Sequence, residues 1–348
     1  MRDIFLDIAR SGILAPSADN KHVFRFDLTD TSIRLWPTHE FAAVTDRLPR
    51  VLGLLSMGAV VENMRLRASE LGFVTHARWF DVISGEPMVE LDMESSPTQQ
   101  ADELAAAIAD RHTNRRMYRG PGLSVGETTL LNAAVAPVEG TRLIWLHGAA
   151  RRQALGLIWR AESERFLRKQ LHHDIFSSIR FDLSWSETAD WALPPGALEI
   201  EMPMRAPFKM LRHWAVMRPL TWMGMHRLVG LRAGWLPAWQ APALGVLVSS
   251  LPIEQGAVAV GAALERLWLR ATLLDLAMQP LAASAVLIQS SAAMPGASDA
   301  LRSNLTTGWQ TIAPATTPLM VFRMGHAAPP SVCSRRREVE EYVLPTHC

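Results

Sequence analysis

The chain has 348 residues, 49% of them apolar, and a formal net charge of +1. That length suits two ordinary domains or one large one, and the near-neutral balance gives no global field for nucleic acid. Two cysteines, Cys333 and Cys348, are too few for a disulfide framework and suit a reducing compartment.

The N-terminus, Met1-Arg-Asp-Ile-Phe-Leu-Asp-Ile, alternates charged and apolar residues and lacks the apolar segment of a secretory leader. No stretch reaches the ~18 charge-free apolar residues of a membrane span, so a cytoplasmic location is expected. A helix-like opening runs into Leu14-Ala15-Pro16-Ser17-Ala18-Asp19-Asn20 and then Val23-Phe-Arg-Phe. Apolar residues at three- and four-residue spacing predict a helix over 51–71, followed by strands over 73–80 and 88–91. A basic run, Arg111-His112-Thr113-Asn114-Arg115-Arg116, precedes Val135-Ala136-Pro137-Val138-Glu139-Gly140 and Leu143-Ile-Trp-Leu. Residues 150–171 are charged and helix-like. Between Glu201 and Glu254 no acidic residue occurs, while six cations are interleaved with tryptophans and methionines. A second long helix is predicted over 256–277, with strands over 285–289 and 319–324.

The two long helices are copies of each other. Gly58-Ala-Val-Val-Glu62-Asn-Met-Arg-Leu-Arg-Ala68 returns 203 positions later as Gly261-Ala-Ala-Leu-Glu265-Arg-Leu-Trp-Leu-Arg-Ala271. Leu14-Ala15-Pro16 likewise returns 121 positions later as Val135-Ala136-Pro137, without the serine and asparagine that follow it in the first copy. The difference in offset, 203 less 121, places 82 additional residues in the second copy, as an insertion over about 150–243. Helix–strand alternation in both halves predicts an internally duplicated α+β fold, divided at about 1–105 and 106–348. Since each copy has kept different polar residues, one working site is expected.

Arg111, Thr113 and Arg115 suit an anion, because guanidinium donors match phosphate oxygens in bidentate geometry. Ser334-Arg335-Arg336-Arg337 offers a second such cluster. Ser17 and Asn20 suit the edge of a flat heterocycle, and equally a turn after Pro16. The cationic, Trp-rich stretch within 203–243 reads first as a lid over a pocket, with an anionic membrane surface or ordinary packing as alternatives and nucleic acid last. His172-His173-Asp174 lacks further metal-ligand spacing, so no metal is expected.

Taken jointly, Ala15-Pro16-Ser17 with Asn20, the Arg111–Arg116 run, the helix from Gly261 to Pro280 and Ser334-Arg-Arg-Arg with Val339-Glu-Glu resemble the FMN-dependent nitroreductase family, in its long, fused-dimer, Acg-like branch. The resemblance implies a mixed sandwich in which one monomeric chain mimics the family's homodimer, a small-molecule substrate and one FMN per chain. By that resemblance Arg111, His112, Thr113 and Arg115, with Arg335 or Arg336, hold the phosphate side. Ser17 and Asn20 face the ring, and Ser249 and Ser250 occupy the loop beneath it. The implied activity is electron transfer through the flavin to a flat hydrophobic, quinone-like or nitro acceptor, with NAD(P)H as the candidate donor. The alternative is a protein that sequesters FMN with little turnover.

Overall fold

The computed structural model describes residues 1–83, 85–290 and 297–345. Cys348 lies outside the described residues, and Cys333 is a partly buried free thiol.

In the first half, helix α1 (Arg2–Ile13) buries Phe5, Ile8, Ala9 and Ile13, the spacing of a single helical face. It leads to the hairpin β1 (Phe24–Leu28) and β2 (Ser32–Pro37), the long helix α2 (Arg47–Glu70), and strands β3 (Phe73–Trp79) and β4 (Val89–Ser95). The second half begins with α3 (Val125–Val135) and β5 (Thr141–Trp145). Helices α4 (Gly148–Leu167), α5 (Lys169–Ser177), α6 (Met202–Leu211), α7 (Trp214–Trp222) and α8 (Met225–Gly230) then intervene. The repeat resumes with β6 (Ala243–Ser249), α9 (Ile253–Leu273) and β7 (Ala277–Pro280), and ends with α10 (Asp299–Ile312) and β8 (Thr317–Gly325).

The two sheets have one topology: β1-β2-β4-β3 in the first half and β5-β6-β8-β7 in the second, every neighbouring pair antiparallel. The duplicated α+β architecture expected from the repeat is therefore present. Where the first half turns tightly between Leu28 and Ser32, the second carries α4 to α8 between Trp145 and Ala243. A hairpin loop tolerates such growth, because loop-closure entropy rises only slowly with length.

The long helices α2 and α9 cross at the repeated glycines. A Cβ at Gly58 would lie 2.0 Å from the Val258 carbonyl oxygen, and one at Gly261 would lie 2.0 Å from the Leu55 carbonyl oxygen. Residues 55 and 258 are also 203 apart, so the two contacts are one contact seen from both halves, as in an isologous dimer interface. A single core spans the crossing, joining Phe5 and Met64 to Leu247 and Trp268. After β8 the chain returns to the first half, where Leu344 N donates to Phe26 O at 2.7 Å.

Two predicted elements differ. Residues 285–289 form a helical turn, Ala283–Val286, and a 3₁₀ turn, Leu287–Gln289, while the strand lies earlier at Ala277–Pro280. Ala285, Val286 and Leu287 are buried, and periodicity does not separate helix from strand in so short an apolar run. The second long helix stops at Leu273 because Asp275 takes a left-handed φ of 54° and Ala277 already pairs in the sheet.

Adding a methyl group at the crossing pushes against backbone, which cannot swing aside. Gly58→Ala and Gly261→Ala should each destabilise the chain by about 2–3 kcal/mol in urea melts, the upper part of the overpacking range. Gly156→Ala within α4 meets nothing within 4 Å. It should stabilise by about 0.5–1 kcal/mol.

Candidate functional site

The C-terminal end of α1 and the loop after it gather the polar residues of the candidate site. The Arg111 Nη2 donates to Leu14 O at 2.7 Å. Arg336 Nε donates to Ile13 O at 2.7 Å and its Nη2 to Ala15 O at 2.9 Å, while Nη1 bonds the Asn20 side-chain oxygen. Asn20 in turn donates to Ala192 O at 3.1 Å and Arg335 O at 3.3 Å. Unfulfilled carbonyls at a helix end are natural guanidinium acceptors. Two arginines distant in sequence therefore meet on one loop. Of the two C-terminal candidates, Arg336 turns inward, whereas the Arg335 side chain is exposed.

Behind them lies a carboxylate absent from the sequence-based candidates. Glu265 on α9 is fully buried, 3.3 Å from Arg111 Nε, and among the described residues neither of its oxygens has a hydrogen bond of good geometry. Burial raises its pKa to about 7 despite the neighbouring Arg111. The Arg111 guanidinium also lies 4.6 Å from the Trp268 ring centre. Burial, followed by repulsion from Arg111, lowers Arg336 to about 10.

The repeat explains why Glu265 needs Arg111. Glu62 and Asn63 on α2 correspond, 203 positions on, to Glu265 and Arg266 on α9. Arg266 crosses to Glu62 at 2.7 Å, and also holds Asp102 at 3.0 Å and Ala134 O at 2.9 Å. The reciprocal partner of Glu265 is Asn63, which has no charge and whose Nδ2 donates to Ser11 O at 3.2 Å. The α3 end of the molecule is thus closed by an internal Arg266–Glu62–Asp102 network, and the α1 end draws its cations from Arg111 and Arg336.

The rest of the basic run faces a cleft of about 420 Å³ lined by Arg115, Arg116, Arg119, Glu199, Arg232 and His326, among others. Its lining includes Glu201, to which Arg232 is bonded. Arg115 donates to Ala197 O at 3.1 Å and senses the charges of Asp19 and Glu199, although burial is the larger influence and lowers its pKa. Arg323, beneath Arg116, is fully buried over Tyr118, with Nη1 unpartnered. Burial lowers it to about 10. Ser17 Oγ is likewise buried without a partner among the described residues, while Arg116 Nε lies 3.5 Å from Glu199 Oε1. Thr113 bridges the end of β7 at Met278, and His112 is exposed with its Nδ1 2.7 Å from Asp110 O.

Two sequence expectations need correction, and a third pair of residues is placed by the sheet register. Arg111 is not a free anion donor, because its guanidinium is engaged by Leu14 and Glu265. Ser249 and Ser250, expected in the loop beneath the ring, stand at the far end of β6 from the basic run: Thr113 pairs near the Ala243 end through Met278 and Met324, whereas Ser249 lies at the other end. Seven residues of strand separate the two ends by roughly 20 Å. Ser249 instead closes a turn, donating to Gly140 O at 2.8 Å. Finally, the part of the insertion that touches the Asn20 loop is 178–199, ahead of the Trp-rich stretch. Ser178 Oγ donates to Asp19 at 2.9 Å, Ala192 N to Asn20 O at 3.3 Å, and Arg335 N to Ala189 O at 2.8 Å. Residues 203–243 pack mainly on α4 and α5 around Phe166, Phe176 and Met217, with only Arg232, Trp239 and Gln240 reaching the clefts. Among the described residues no cluster suited to a metal occurs.

Removing Arg111 strands a buried carboxylate. Arg111→Ala should cost about 3–5 kcal/mol of stability, and adding Glu265→Gln should recover most of it. Glu265 also has a pH signature: its folded pKa of about 7 exceeds the ordinary 4.5, so its contribution is fully present below 4.5 and is lost as pH rises towards 7. His22, lowered to about 3 chiefly by burial, has the opposite sign. Subtracting the urea-melt pH profile of Glu265→Gln from that of the parent should therefore isolate a decline between pH 4.5 and 7.

No protein-family model matches the chain, and no curated protein matches it. Similar solved structures include a nitroreductase with bound FMN from Bacteroides fragilis, at 11% identity over 66% of this chain and 90% of that chain, with a TM-score of 0.37. A second is a putative nitroreductase in complex with FMN from Desulfovibrio desulfuricans, at 15% identity over 72% and 99% with a TM-score of 0.35. A third is the FMN-dependent nitroreductase NfnB from Mycobacterium smegmatis in complex with NADPH, at 15% identity over 71% and 96% with a TM-score of 0.34. Likeness at this level carries no argument about the chemistry of this chain, which rests on its own residues.

Proposed function

We propose that the chain is an FMN-binding oxidoreductase of the nitroreductase type, in which halves 1–105 and 106–348 build one site between them. The observation that carries this reading is the asymmetry of the two α-helix ends: Arg111, Arg336, Ser17 and Asn20 converge at one, while Arg266, Glu62 and Asp102 close the other. Donor chemistry supports an anionic, flat, polar-edged ligand. The 420 Å³ cleft sets Arg115, Arg116, Arg119 and Arg232 against only Glu199 and Glu201. Among the described residues Arg323 Nη1 and Ser17 Oγ are buried without a hydrogen-bond partner, and buried polar groups left unpaired cost about 1–3 kcal/mol each unless a ligand meets them.

In this assignment Arg115 and Arg116, with His112 and Thr113 beside them and Arg323 behind, hold the phosphate side. Ser17 and Asn20 meet the ring edge, and Arg336 fixes the loop that carries them. When bound, FMN supplies hydride and electron transfer between a donor such as NAD(P)H and a flat hydrophobic acceptor. The chain's residues bind and orient it, and the buried Arg111–Glu265–Arg336 group keeps the inner wall cationic without solvent. Segment 178–199, hydrogen-bonded across the loop, excludes water from that wall. The same clasp supports a second reading, in which FMN is sequestered with little turnover.

Released flavin should amount to one FMN per chain, and two per chain would overturn the asymmetric site. Arg115→Ala and Arg116→Ala should each weaken FMN binding by about 1.5–3 kcal/mol, the worth of a charge-assisted hydrogen bond. Steady-state oxidation of NADH and NADPH with quinone and nitroaromatic acceptors separates the readings. Turnover favours the oxidoreductase, and bound FMN without turnover favours sequestration.

A further inference from the structure

The Trp-rich insertion carries a surface feature that the site does not use. The turn joining α7 to α8 presents Trp222 and Met223 to solvent, 84% and 81% exposed. Gly224, at φ 84°, follows them, and a Cβ there would meet nothing within 4 Å. Met202, Met204 and Met210 on α6 and Leu228 on α8 are exposed as well. The insertion buries its own aromatic cluster around Phe176 and Phe181, so these outer residues are surplus to its packing. Two large apolar side chains at the very end of a helical hairpin gain nothing from water and mark a contact surface.

Charge identifies the contact. Arg218 stands one turn before Trp222, and Arg227 follows the tip on α8; both are exposed, and neither forms an ion pair among the described residues. No Asp or Glu occurs from residue 202 to residue 253. An acidic protein groove would match the arginines but would also need a complementary pocket for a protruding Trp-Met pair. A single-stranded nucleic acid would need a groove along which bases stack, whereas this feature protrudes. An apolar tip with cations set behind it fits a lipid interface, where Trp and Met enter the acyl boundary and arginines meet anionic headgroups. No described helix is long and apolar enough to cross a membrane, so the contact is one of lying on the surface.

We propose that Trp222 and Met223, flanked by Arg218 and Arg227, form an interfacial anchor that seats the chain on an anionic lipid bilayer. The anchor is independent of the flavin reading, since none of these residues belongs to the candidate site. The test is co-sedimentation of the full chain with phosphatidylcholine vesicles, with and without phosphatidylglycerol, at low and high salt. Binding should require phosphatidylglycerol and weaken with salt. Arg218→Gln and Arg227→Gln should each lower affinity about fivefold. Trp222→Ser combined with Met223→Ser should abolish sedimentation while leaving the thermal midpoint and flavin content unchanged. The proposal is overturned by absence of binding at low salt, by equal binding to neutral vesicles, or by undiminished binding of the double variant. It is also overturned if sedimentation fails but the double variant removes self-association in solution, because the tip would then face a second copy of the chain.

Discussion

The close crossing of α2 and α9 is the constraint on which the rest depends. With Gly58 and Gly261 each pressed on the other helix's backbone, the helices cannot rotate or slide without collision. Pseudo-twofold symmetry is thereby imposed on everything one turn further along. Glu62 and Glu265 stand four residues after their glycines, on the same helical face, so each carboxylate is delivered to the opposite helix whether or not a partner awaits it there. A buried carboxylate needs a cation or a proton, and the crossing therefore poses one electrostatic problem twice.

The two halves solve it differently. Arg266 answers Glu62 from the facing helix itself and spends its remaining donors on Asp102 and Ala134, so that end is self-contained. Asn63 carries no charge with which to neutralise Glu265, and the cation arrives from outside the crossing, as Arg111 at the head of the basic run. Because Arg111 is fixed there, the run that follows it is fixed too: Thr113 is pinned to β7, and Arg115 and Arg116 are directed into the cleft. A structural ion pair thus registers the polar residues proposed to bind ligand, and the second function of the basic run begins where the first ends.

Much of this was legible in the sequence. The repeated glycines, the insertion and the one-sided retention of Ser17 and Asn20 all have local signatures, and the structure places Asn20, Arg111 and Arg336 on one loop. Glu265 was overlooked although it stood inside the repeat, because an acid on a helix reads as solvent-facing unless its partner is known. The signal that could have found it was an acid retained in both copies beside a residue that changes from Asn to Arg. For Ser249 and Ser250 the sequence gives no direction along β6; sheet register decides which end of the strand meets the basic run. The strand predicted over 285–289 is a pair of helical turns for a different reason, since so short an apolar run carries no periodicity that tells strand from helix.

The insertion shows how a duplicated fold acquires asymmetry cheaply. It replaces a hairpin turn on the surface, where added chain costs little closure entropy, and it packs on helix α4, which it brings with it. Its first part is tied to the other half by hydrogen bonds at Asp19, Asn20 and the C-terminal tail, and these reach only the loop that kept its polar residues. At the α3 end Arg266 already holds Ala134 O, Glu62 and Asp102. Closure of one end by Arg266 and coverage of the other by segment 178–199 thus accompany one difference on the crossing face, Asn63 in one copy and Arg266 in the other.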